Sequence, residues 1–173
     1  TSATLATGVG AATWKAIEAD LGLKGLDVET LQADSPFDYA RQVRGYIPAS
    51  MPDSRSPDYH TALAAEIQDI LNHTQGRAFV LFTSNWDMRK TFDLVSTRVR
   101  FPVLLQGTAP KDLLIEEFKK TPHSVLFGVR TFWTGVDIPG EALSCVVLVK
   151  LPFPQPEHPL NKARCQRIEQ RGG

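Results

Sequence analysis

Three short segments of the 173-residue chain combine small hydroxyls, amides, aromatics and glycine: Ser84-Asn85-Trp86, Gln106-Gly107-Thr108, and Arg130 through Pro139. Hydroxyl, amide and backbone N–H donors meet phosphate oxygens without bulk charge. The rings of Phe132 and Trp133 offer stacking faces for bases. Each segment also has a plainer reading. Ser84-Asn85 spells a helix N-cap, and Trp133 suits a core plug. Position favours a ligand rim, because each segment directly follows a continuous apolar run, and ligands of open α/β sheets sit beyond the carboxyl ends of the strands.

Those apolar runs are the elements that must position the rim. AFVLFT (78–83), FPVLLQ (101–106), SVLFGV (124–129) and LSCVVLVKL (143–151) read as buried strands, apolar throughout. Helices are expected between them. One of about 16 residues opens at Pro57-Asp58 with Leu63, Ile67, Ile70 and Leu71 on one face. Another spans 86–97 with Met88, Phe92 and Val95, and a third runs from Pro110 to Lys120 with Leu114 and Phe118. A last helix is expected over 159–170. This alternation predicts an α/β fold with a parallel sheet covered on both faces. Upstream, 12–21 reads as a helix carrying Trp14, Ile17 and Leu21, 22–57 as a connector, and QVRGYI (42–47) as a short strand within it. The proline- and serine-rich stretch 48–57 reads as a loop.

Other chemistry is weakly signalled. Gly8-Val9-Gly10 lacks the third glycine and the preceding strand of a dinucleotide loop, and no GxxxxGK[ST] occurs, so the chain has no triphosphate-gripping loop of its own. His60, His73, His123 and His158 are scattered without metal-ligand spacing, so no metal is expected. Cys145 reads as a small core residue. Ser2 has no partnered base that spacing identifies.

Composition sets the outer limits. With 42% hydrophobic residues and 19 basic against 19 acidic groups, the chain can bury a core and is not a disordered polymer. Zero net charge argues against coating nucleic acid by bulk electrostatics. No apolar run approaches the roughly 20 residues of a membrane span. The opening residues do not read as a signal peptide, and the chain reads as a fragment of a longer protein. Charge is uneven: residues 1–40 carry two basic and six acidic groups, and 141–173 carry five and three. The basic end is the side expected to face phosphate.

The residues also carry a family likeness. TSATL (Thr1 to Leu5) resembles motif III of superfamily 2 helicases, FVLFTSN (Phe79 to Asn85) motif IV, and LLQG (Leu104 to Gly107) motif IVa. FGVRTFWTGVDIPGEALSCVVLVKLPFP (Phe127 to Pro154) resembles motif V and its continuation in the DinG family, relatives of the XPD helicases. SPFDYARQVR (Ser35 to Arg44) and the stretch from His158 to Arg164 fit the same family. The resemblance implies a RecA-like three-layer α/β/α domain over 1–173, with motif III and a first helix in 1–21, a connector in 22–57 and the α/β core in 58–173. It implies the second motor domain of an ATP-dependent 5′-to-3′ DNA helicase, working with ATP and Mg2+, single-stranded DNA and a first RecA-like domain of the same parent, in the bacterial cytoplasm at the nucleoid.

By match to the motifs, Thr1, Ser2, Ala3 and Thr4 would couple nucleotide state to DNA grip. Ser84, Asn85, Gln106, Gly107, Thr131, Phe132 and Trp133 would contact DNA, and Gly135 and Asp137 would face the ATP cleft. Thr134 stands where the family usually has an acidic residue. Motif VI, the source of arginine fingers, is expected soon after Gly173, and the chain alone is expected not to hydrolyse ATP. Two rival readings remain: a RecA-like module that binds a single strand or a partner without motor function, and an α/β enzyme acting on a small phosphorylated ligand.

Overall fold

A computed structural model describes residues 14–23, 25–153 and 157–170. The chain divides into two compact units, Thr1–Ile47 and Pro48–Gly173.

In the first unit, helix α1 spans Lys15–Asp20 and a single turn, α2, spans Tyr39–Gln42. Asp38 caps α2 by accepting the Arg41 N–H. The strand expected over 42–47 does not form. Gln42 belongs to the helical turn, and the residues after it join no ladder, with Ile47 90% exposed. A strand is stable only when it joins a sheet and buries a face, and this segment lies outside the sheet and is exposed throughout.

The second unit holds helix α3 (Tyr59–Thr74), then β1 (Ala78–Leu81), α4 (Asn85–Ser96), β2 (Val103–Leu105), α5 (Lys111–Lys120), β3 (Val125–Gly128), β4 (Cys145–Leu148) and α6 (Pro159–Glu169). The four strands form one all-parallel sheet in the order β2-β3-β1-β4. The strands are shorter than the apolar runs, but single bonds carry the ladder on: Phe82 N donates to the Gly128 carbonyl at 2.8 Å and Gln106 N to the Phe127 carbonyl at 2.9 Å.

Strand alternation sorts the core into two layers. Ala78, Val80, Phe82, Val125 and Phe127 face α3 and α4, where they meet Leu63, Ile67, Leu71, Met88 and Val95. Phe79, Leu81 and Leu126 face the other way, onto Leu114 and Phe118 of α5 and onto Phe132, Trp133, Val136, Ile138 and Leu143 of the segment after β3. The result is the expected three-layer α/β/α arrangement. One expectation fails at its edge: among the described residues, β4 is covered on one face only, and Val146 and Leu148 are about half exposed.

The connections create a crevice. β1 leads into α4 on one face, whereas adjacent β3 leads into a segment packed on the opposite face. Neighbouring strands whose exits part in this way open a gap at their carboxyl ends, where α/β sheets place ligands. All three rim segments lie at this end.

Candidate nucleic-acid interface at the strand ends

Ser84 follows β1 in extended conformation (φ −131°), and its hydroxyl accepts the Asp87 N–H at 3.3 Å. It is therefore the N-cap of α4, with an acidic residue at the third helical position where it favours the helix dipole. Asn85, the first helical residue, is exposed.

Gln106 ties two strand ends together. Its side-chain oxygen accepts the Val129 N–H at 2.7 Å across the β2–β3 gap. Gly107 follows with φ +96°, a conformation glycine adopts at no steric cost. Gln106, Gly107, Ala109, Lys111, Leu114, Thr131 and Phe132 line one open groove of about 240 Å³. Lys111 anchors its wall: its ammonium donates to the Thr134 carbonyl at 3.4 Å and stands 5.7 Å from the Phe132 ring centroid. The Arg89 guanidinium reaches the same corner, 3.4 Å from where a Gly107 Cβ would stand.

The two aromatic candidates turn inward. Phe132 is 3% exposed and packs edge-to-face on Phe79, so it presents no open ring face. Its position depends on Gly128, because a Cβ at 128 would lie 2.9 Å from Phe132 Cδ2 and 3.1 Å from Phe132 Cβ. The latter atom is fixed to the backbone of the 3-10 turn Arg130–Phe132 and cannot swing aside. Gly128→Ala is expected to cost about 1–3 kcal/mol by overpacking, read as a lower urea midpoint at unchanged slope. Trp133 is half-buried, and its indole Nε1 donates to the Phe82 carbonyl at 3.2 Å. It thus bridges the crevice between the β1 and β3 exits. Thr131, by contrast, is exposed at the groove.

Gly135 and Asp137 lie farther along the same segment, both exposed. Gly135 has φ +67°, and among the described residues only Lys111 Nζ comes within 4.0 Å of where a Cβ would stand. Open backbone of this kind leaves room for a close approach at Gly135. Among the described residues, no three His, Cys, Asp or Glu side chains gather as a metal site requires, and no helix is long and apolar enough to cross a membrane. Thr1, Ser2, Ala3 and Thr4 lie outside the described residues.

A second cluster escaped sequence reasoning. His60 Nε2 lies 2.8 Å from Asp87 Oδ1, and Lys150 Nζ 3.3 Å from Asp87 Oδ2. His60 and Asp87 are buried. Tyr59 joins them, edge-on to His60 and 5.3 Å beneath the Lys150 ammonium. Burial, and then the nearby Asp87 charge, push its phenol above the usual tyrosine range. The cluster joins the starts of α3 and α4 to the end of β4. Its members are 27 and 63 residues apart along the chain, so no local spacing could signal it. Lys111 was missed for the same reason.

The chain is 38% identical over 84% of its length to the ATP-dependent DNA helicase YoaA of Escherichia coli, and 35% identical over its whole length to the ATP-dependent helicase DinG of Mycobacterium tuberculosis H37Rv. It is 31% identical over 88% of its length to a Bacillus subtilis protein named 3'-5' exonuclease DinG. It spans 23%, 26% and 17% of these relatives, so about a quarter of their length or less. A family model described as the helicase C-terminal domain matches residues 67–173, and the chain belongs to that family, in its DinG-type form.

Proposed function

We propose that this chain is the second motor domain of an ATP-dependent 5′-to-3′ DNA helicase and that it grips single-stranded DNA along the carboxyl ends of β1, β2 and β3. The observation that carries the reading is the groove where Gln106, Gly107, Lys111 and Thr131 converge. It offers an amide, exposed backbone, a hydroxyl and one ammonium, a donor set suited to phosphodiester oxygens. Phe132 shapes the groove from beneath. Ser84 and Asn85 extend the rim along the start of α4.

Gly135 and Asp137 form one wall of an ATP cleft completed by a first RecA-like domain of the parent protein, and Thr1 to Thr4 couple the two ligands. ATP with Mg2+ would supply the free energy of cleft closure. This chain's own part is to hold the strand and to pass that closure on through the segment after β3, which borders both sites. The chain by itself lacks a phosphate-gripping loop and does not turn over ATP. The parent works in the bacterial cytoplasm at the nucleoid.

Titration of a fluorescent oligothymidylate against the chain at several salt concentrations tests the grip. Affinity is expected to fall linearly in log-log form as salt rises, and Lys111→Ala to reduce that slope by about 0.7, as loss of one phosphate contact on a single strand requires. Absence of binding at low salt, or a slope near zero, sinks the reading.

A further inference from the structure

We infer that Trp86 is a stacking platform for an unpaired base, buttressed by buried His60 and served by Lys90. The inference rests on the reading of the rim as a strand-binding surface and names a contact that reading did not contain.

Trp86 is 63% exposed, whereas Phe132 is sealed in and Trp133 is tied to Phe82. It sits in the first turn of α4, whose inward face is already filled by Met88, Thr91 and Val95. At a ligand rim, a ring left mostly in water offers an arriving base a stacking face. The ring is also not loose. The His60 imidazole meets it edge-to-face at 5.0 Å, and His60 is held by Asp87, which in turn holds Lys150. Three elements thus fix the root of the indole while most of its surface stays open. A ring ordered in advance loses little entropy when a base stacks on it.

Charge is supplied on the next turn. Lys90 Nζ stands 4.8 Å from the Trp86 ring centroid, and Arg89 reaches toward Gly107. An exposed cation over a ring is held weakly, and the lysine stem is flexible. A base arriving on the indole displaces the ammonium, which then pairs with that nucleotide's phosphate and releases a counterion. A ring face covered only by a displaceable cation suits an unstacked base and is tolerant of sequence. It does not suit a duplex, whose bases are already stacked.

The test compares the chain with its W86A and W86F variants against two labelled strands, each longer than the roughly 16 nucleotides one binding fold covers. One is oligothymidylate and the other an abasic deoxyribose-phosphate strand. W86A is expected to bind oligothymidylate about 5- to 100-fold more weakly and the abasic strand as the parent does. W86F is expected to recover most of the loss, and the urea midpoint of W86A to fall only slightly, because the ring is mostly in water and loses chiefly its edge contact with His60. Equal loss on both strands, or no loss on either, overturns the platform; the latter is also the result expected if Trp86 serves a protein partner. A parent chain that binds neither strand at low salt overturns the rim reading itself, and so separates the two failures.

Discussion

Asp87→Ala is expected to destabilise the folded chain by about 3 kcal/mol, as breaking a buried ion pair does. Three losses coincide at this carboxylate. His60, buried among Tyr59 and Trp86, loses the acceptor 2.8 Å from its Nε2, and a buried polar atom without a partner bears its full desolvation cost. Lys150, about one-third exposed, loses the charge 3.3 Å from its ammonium, and solvent softens that loss. Helix α4 loses the acidic group in its first turn. Urea unfolding followed by circular dichroism measures the sum. Asp87→Asn keeps an acceptor for His60 but not the charge, so it should fall between the parent and the alanine variant. A loss below about 1 kcal/mol would mean that the cluster is effectively solvated and cannot brace Trp86. This places the stability of the cluster and the rigidity of the proposed platform on one carboxylate.

What could be read from the sequence was whatever repeats at short range. Leu63, Ile67 and Leu71 are buried on α3, Met88 and Val95 on α4, and Leu114 and Phe118 on α5, because helical periodicity is a local pattern. Apolar runs that alternate with helices over most of residues 58–170 are enough to predict a parallel sheet. The run 42–47 misled because a strand is not a local object: β-branched and aromatic residues favour pairing only where a neighbour exists. The half-covered β4 misled for a similar reason, since an apolar run does not say what lies over it.

At the site, the segments were legible but not the side-chain roles. That Gln106 would spend its oxygen on Val129, or Ser84 its hydroxyl on Asp87, depends on how neighbouring strand ends meet. That Trp86 rather than Phe132 would face water depends on which face of a short turn packs on Phe79.

Trp133→Ala separates the two roles open to that residue. It is expected to cost about 2–3 kcal/mol of stability, somewhat below the range for a fully buried tryptophan because the ring is only half-buried. Part of the loss is packing against the α5 face of the sheet. Part is the Phe82 carbonyl, which loses the indole donor at 3.2 Å and is left unsatisfied in the crevice. Trp133→Phe retains most of the packing but not the bond, so it should cost about 1 kcal/mol. Both variants, kept at temperatures where they remain folded, should bind oligothymidylate within about twofold of the parent, because a side chain that only fills the crevice makes no contact with bases. Urea midpoints and anisotropy titrations on the same preparations provide the two readouts. Affinity lost at unchanged midpoint would move the stacking role from Trp86 to Trp133 and would make the β1–β3 crevice itself the path of the strand. Stability lost at unchanged affinity leaves the strand on the outer rim, where Lys111 and Gln106 line the groove and Trp86 lies exposed, and assigns the crevice to the bridge that keeps the exits of β1 and β3 together.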